Sequence, residues 1–196
     1  MTTALMMPTL DAARGRVARA YELARARRAL QSSLWVLPAV AVALALALAE
    51  RRVEVALLGL VLVASVWLAD WRGKEWGRAL PAGLVGGLLT FGAAISGRWV
   101  MVDCCASGAG CSDWCVPACA TAGGLVGLLT VLDAGRAANP LPRIATSASL
   151  SAMGGAMGCA CIGYTGAGAM LIAMSLVLLP GGIWLVRRTL GVVPTP

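Results

Sequence analysis

Five of the chain's seven cysteines fall within seventeen residues, 103–119, which read DCCASGAGCSDWCVPAC. The other two, Cys159 and Cys161, lie in SAMGGAMGCACIG at 151–163. Cys104 and Cys105 are adjacent, whereas Cys111, Cys115 and Cys119 recur every fourth residue. On a helix beginning near Ser112 that spacing makes one ridge. Pro117 is tolerated there because it lies within the first two turns. Three disulfides among seven cysteines would leave at least one thiol over.

Three uses of this sulfur are open. The first is a set of disulfides stapling a loop to the helix ends. The second is redox or soft-metal chemistry at an all-thiolate site, helped by Asp103, Asp113 or methionine. Its ion would be thiophilic: Cu, Zn or Hg. The third is packing as small apolar residues. The spacings match neither paired C-x2-C zinc ribbons nor a thioredoxin-type C-x-x-C. Met153 and Met157 stand one turn apart, and Cys161 continues their face. Such a line either fills gaps against neighbouring helices or passes a soft cation along.

Enzymatic alternatives are sparse. The chain has no histidine, which excludes imidazole bases, Ser-His-Asp and Cys-His catalysis, and mixed Cys/His zinc sites. Its one lysine, Lys74, sits in a polar stretch. With no general acid, base or cofactor motif in view, an enzyme is not expected.

The elements that must position these thiols are apolar. Of 196 residues, 59% are hydrophobic and 13% charged, against about 25% charged in soluble domains. The runs 29–49, 79–97, 114–132 and 144–186 carry no charge at all, and about 20 apolar residues cross a bilayer. The expected fold is therefore all-α: a polytopic membrane protein with six transmembrane helices in a compact bundle. They are placed at 31–49, 53–69, 79–97 and 114–132, with two more in 144–186. The last two are separated at GYTGAG, 163–168, a glycine-rich turn. Pairs of small residues, Gly83/Gly87, Gly123/Gly127 and Gly154/Gly158, favour close helix packing.

The domain plan is then a cytoplasmic basic segment at 1–30, a bundle at 31–186 with a cysteine-rich loop at 98–119, and a tail at 187–196. Residues 1–28 are polar and Arg-rich and lead into a run long enough to span, so no cleavable signal peptide is expected. Six spans put both termini on one side. Thirteen of the sixteen Lys and Arg residues fall there; only Arg51, Arg52 and Arg98 fall opposite. By the positive-inside rule the termini are cytoplasmic and the cysteine-rich loop extracytoplasmic, in a bacterial inner membrane. The net charge of +7 reads as this bias, not as direct nucleic-acid binding. Oxidising conditions await thiols on that outer face. Apart from Glu54 and Asp70, no ionisable residue but cysteine lies within the spans. That counts against a driven transporter and fits sensing or anchoring.

Residues 9–28 read as an amphipathic helix, with Leu10, Ala13, Val17, Tyr21 and Ala24 on one stripe and Arg14, Arg16, Arg19 and Arg25 around it. It can lie on anionic lipid or dock a cytoplasmic protein. For docking, Arg14, Arg16, Arg19, Tyr21 and Arg25 are the candidate contacts.

The layout resembles the NrsF-type membrane anti-sigma factors of bacteria, which have a short cytoplasmic N-terminal segment, six helices in about 200 residues and cysteines near the periplasmic face. That resemblance implies a sigma-holding role for residues 1–30, and sensory thiols at Cys119 and at Cys159 or Cys161. Locally, SAMGGAMGCACIGYTGAGAML is similar to the cysteine-bearing first helix of mercuric-ion membrane transporters. Copper uptake proteins also use an M-x-x-x-M helix. Two functions are thus expected in competition. One is a regulator that senses oxidant or thiophilic metal and holds a cytoplasmic partner, such as a sigma factor. The other is a soft-metal carrier using Cys104, Cys105, Cys159 and Cys161. A third possibility is that the cysteines are only structural disulfides. The oligomeric state is not legible.

Overall fold

A computed structural model describes residues 7–47, 49–100, 111–160 and 165–190. The described residues are all-helical, with no strand among them. In chain order they form α1 (Met7–Leu34), α2 (Leu37–Leu46), a 3-10 turn (Ala49–Arg51) and α3 (Arg52–Arg72). There follow the single-turn α4 (Lys74–Gly77), α5 (Leu80–Val100), α6 (Cys111–Ala134), α7 (Pro140–Ala160) and α8 (Thr165–Thr189).

The first span differs from expectation. The basic segment and the start of the apolar run are one continuous helix, α1, and the break falls inside the expected 31–49 span at residues 35–36. Pro38 explains this. It lacks an N–H and its ring crowds the carbonyl four residues back, that of Leu34. It is accommodated at the first turn of a new helix, α2. At the other end of the pair, α3 stops at Gly73, whose φ of +122° lies where a Cβ is disfavoured.

The remaining helices overrun their expected limits by a few residues. Two differences matter. Arg143, expected in a loop, lies in the first turn of α7, where its Nη1 donates to both carboxylate oxygens of Asp133 at 3.1 Å. Of the expected turn at 163–168, residues 165–168 belong to α8, and 163–164 lie outside the described residues.

Among the described residues, five stretches are long and apolar enough to cross a membrane: Ala12–Leu46, Ala49–Arg72, Glu75–Ser96, Val116–Ala134 and Gly166–Arg188. Helix α7 has the length, about 31 Å at 1.5 Å per residue, but more polar residues. Its position accounts for that composition. It is the central element, packed on α3, α5, α6 and α8, so its hydroxyls meet protein. The Thr90 hydroxyl of α5 donates toward the Ser151 carbonyl (3.1 Å), the Ser151 hydroxyl toward the Gly83 carbonyl (3.3 Å), and Thr130 and Ser147 pair at 3.2 Å.

The packing is inverted relative to a soluble domain. Leu60, Leu88, Leu129 and Leu176 face outward, while Thr90, Thr130, Ser147 and Ser151 are buried. Where the surroundings are apolar, helices associate through close backbone approach and hydrogen bonds. Gly154 provides a close approach between two backbones. A Cβ there would lie 2.7 Å from the Cα and carbonyl oxygen of Gly87. One turn on, a Cβ on Gly158 would meet the Ala94 Cβ at 3.0 Å and the Phe91 Cα at 3.1 Å.

Gly154→Val should therefore destabilise the bundle by about 1–3 kcal/mol through overpacking. Gly92→Val, where no atom lies within 4 Å of the added Cβ, should be near neutral. Thermal unfolding in detergent micelles compares the two, and equal midpoints would refute the tight α5–α7 contact.

Candidate functional site: a buried thiol pair

The helix that carries the cysteine ridge starts at Cys111, so Cys111, Cys115 and Cys119 stand one turn apart along α6. The side chains of Cys111 and Cys115, and all of Cys104, Cys105 and Cys161, lie outside the described residues. Cys119 and Cys159 are described. Cys119 sits two turns into α6 and Cys159 at the last turn of α7. Both are buried and neither forms a disulfide. The Cys159 thiol donates a hydrogen bond to the Cys119 sulfur.

The slot around them is shaped by glycine. Gly123 lies one turn after Cys119 and Gly155 one turn before Cys159. A Cβ on Gly123 would strike the Met170 carbonyl oxygen, and one on Gly155 would strike the Met170 sulfur. Met170, on α8, thus fills the space that two missing side chains leave. It is 1% exposed and shares one buried cluster with Cys119, Cys159, Ala94 and Ala167. Four helices meet at this point: α5, α6, α7 and α8.

Of the expected sulfur line Met153–Met157–Cys161, Cys161 lies outside the described residues. Met157 is buried in a separate apolar cluster with Phe91, Leu62 and Leu150, and Met153 packs against it. The thioether beside the thiols is instead that of Met170, which the sequence reading passed over. Ala167, Met170 and Met174 do recur at helical spacing, but that pattern cannot say which neighbouring helix they face. Among the described residues, no three His, Cys, Asp or Glu side chains gather as a metal site.

Chemically, two adjacent thiols and a thioether in a dry cluster can form a disulfide or hold a soft cation. The flanking glycines let the sulfurs approach without displacing backbone.

At the far end of α1 lie the candidate contact residues. Arg16, Arg19, Val17, Tyr21 and Ala24 are exposed, Ala13 is half-buried, and the side chain of Leu10 lies outside the described residues. From Arg25 onward the helix docks on α3. The Arg25 guanidinium lies 5.8 Å over the Trp71 ring, and the Ser32 hydroxyl donates to Asp70 at 2.9 Å. Residues 14–24 are exposed throughout.

The chain matches no family model, no curated protein and no solved structure. The site must be read from its own chemistry.

Met170→Ala should cost about 2–5 kcal/mol, because it empties a buried space at a four-helix junction. Met170→Leu, close in volume, should cost less than about 1.5 kcal/mol. Chemical or thermal denaturation ranks the two; a harmless Met170→Ala would mean that the residue does not hold the thiol slot together.

Proposed function

We propose that the chain is a multi-pass inner-membrane regulator in which Cys119 and Cys159 sense oxidant and the N-terminal helix holds a cytoplasmic partner. The observation that carries this is the direct contact of two buried thiols from different helices. Both termini are taken as cytoplasmic and the cysteine-rich loop as extracytoplasmic. That assignment is supported by the gathering of Arg72, Arg78, Arg136, Arg143, Arg187 and Arg188 around one set of helix ends. The role proposed is binding and signalling rather than catalysis, at a described cluster of two thiols, a thioether and two alanines.

The chemistry balances with peroxide as oxidant. One thiolate attacks the O–O bond, giving a sulfenic acid and releasing one water after protonation. The second thiol displaces that hydroxyl, releasing another water and forming the disulfide. Two cysteine sulfurs are oxidised by one electron each, and the peroxide is reduced by two. The new bond ties α6 to α7. Helix α7 packs on α3, and α3 on α1, so a shift of α7 has a contiguous route to the tail. The resemblance to anti-sigma factors makes a sigma factor the first partner to test.

A variant that keeps only Cys119 and Cys159, the other five replaced by serine, tests the sensor. After peroxide treatment of intact cells it should lose both alkylatable thiols and yield a Cys119–Cys159 linked peptide in non-reducing mass mapping. Two thiols that stay reactive to alkylation after denaturation would sink the redox reading.

The tail is tested by Arg16→Gln/Arg19→Gln/Tyr21→Ala. Capture of a co-expressed sigma factor should fall at least about ten-fold. Bundle stability should stay within about 0.5 kcal/mol, because all three side chains are exposed. Unchanged capture would remove the tail from the partner interface.

Met170 favours a second reading, a soft-metal site of two thiols and one thioether. Cu(I) or Hg(II) would then protect Cys119 and Cys159 from alkylation, and Met170→Leu would weaken the protection by Cu(I) while leaving peroxide oxidation intact.

A further inference from the structure

Away from the thiols, two adjoining depressions share a wall at Pro81. The first, about 330 Å³, is an apolar groove lined by Trp35, Leu84, Leu88, Phe91, Gly154 and Met157, among others. Ala39, Gly83, Gly87 and Gly154 complete its lining. The second, about 760 Å³, opens at the end of the bundle where α1 docks. Its charged lining is Arg25, Arg28, Arg78 and Asp70, with Tyr21 at its edge. Three guanidiniums thus face one carboxylate, and that carboxylate accepts a hydrogen bond from Ser32.

The two parts have the dimensions of one molecule. Along α5 the groove runs from Pro81 to Phe91, about 15 Å at 1.5 Å per residue. Half of a roughly 30 Å hydrocarbon core is the same length. The basic depression adjoins the Pro81 end of that run, and the groove itself is lined by Trp35, an aromatic of the kind that settles at the membrane interface. A phosphate would meet bidentate donors there. A headgroup with no compensating ammonium would satisfy the excess of cationic over anionic groups.

We infer that this composite pocket binds one anionic phospholipid, with its phosphate among Arg25, Arg28 and Arg78 and an acyl chain in the groove between α2 and α5. The site rests on the membrane residence proposed above and is independent of the thiol chemistry. Because Arg25 and Arg28 belong to α1, a lipid held there also braces the root of the exposed tail.

The test uses full-length protein purified in detergent and offered dioleoyl phosphatidylglycerol or dioleoyl phosphatidylcholine, with retained lipid read by native mass spectrometry. Phosphatidylglycerol should be retained at least about ten-fold better, as expected for several basic residues acting together. Arg25→Gln/Arg28→Gln/Arg78→Gln should erase the preference, and Arg187→Gln/Arg188→Gln should keep it. Ala39→Trp, which fills the groove, should weaken retention of both lipids. Equal retention of the two lipids by the unaltered protein would overturn the site, as would an unchanged preference in the triple variant. Displacement of phosphatidylglycerol by millimolar glycerol phosphate would also overturn it, since the groove would then add nothing. Cell fractionation keeps the two failures apart: protein that sediments with membranes but shows no lipid preference refutes the pocket alone.

Discussion

The approach of Gly154 on α7 to Gly87 on α5 is the contact on which the rest of the structure depends. Apolar surroundings give helices no solvent-driven reason to associate, so attraction must come from dispersion and interhelical hydrogen bonds. Both fall away within an ångström of optimal separation. With a Cβ on Gly154 only 2.7 Å from Gly87, a side chain at Gly154 would hold the two backbones apart. The Thr90 and Ser151 hydroxyls would then lose the carbonyls they reach across the gap. The outward leucines need no such precision, because their partners are interchangeable. The structure therefore concentrates its specificity in glycine, serine and threonine on the buried faces.

That constraint also builds the thiol site. Gly154 and Gly158 face α5, whereas Gly155, offset by one residue, faces α8 and admits the Met170 sulfur. One helix thus uses two sets of small residues on different faces. The first fixes the rotation of α7 against α5; the second, with that rotation fixed, places Cys159 against Cys119 of α6. At the opposite end the Asp133–Arg143 pair, with an N···O distance of 3.1 Å, pins the start of α7 to the end of α6. It is partly exposed, so its net contribution is small, on the order of 1 kcal/mol or less. Its geometric effect is to tie the α6–α7 register at the end remote from the sulfurs.

Much of this was legible in the sequence because membrane-type segments announce themselves by what they lack. The charge-free runs located the apolar helices to within a few residues, and the small-xxx-small pairs named the residues now seen at the crossings. The spacing of Cys111, Cys115 and Cys119 placed them on a helix. Composition failed where surroundings and backbone diverge. Residues 7–34 change from polar to apolar without a break in the helix, since composition reports the surroundings and only Pro38 reports the backbone. Helix α7 sits at the centre despite its serines, because a buried interface satisfies hydroxyls as well as water does. Met153 and Met157 pack with Phe91 and Leu150, and Met170 of α8 is the methionine that joins Cys119 and Cys159. Which helix faces which is a long-range fact that local periodicity does not encode.

The proposed signal must cross from the sulfur pair to a helix that lies on α3. The glycine-locked α5–α7 contact is too close to yield gradually, so a force on Cys159 moves α7 with its neighbours as a unit. The attachment of α1 is of another kind. From Ala29, which is fully buried, it packs on the bundle; before that point it is held to α3 by the cation–π contact of Arg25 at Trp71, on the order of 1 kcal/mol. Contacts of that size hold a helix in place while leaving a second position within thermal reach, which a coupled equilibrium requires. A rigid centre and a weakly latched output are what such a regulator needs. Had the tail been clamped as firmly as the glycine crossing, oxidation could strain the bundle but could not move α1.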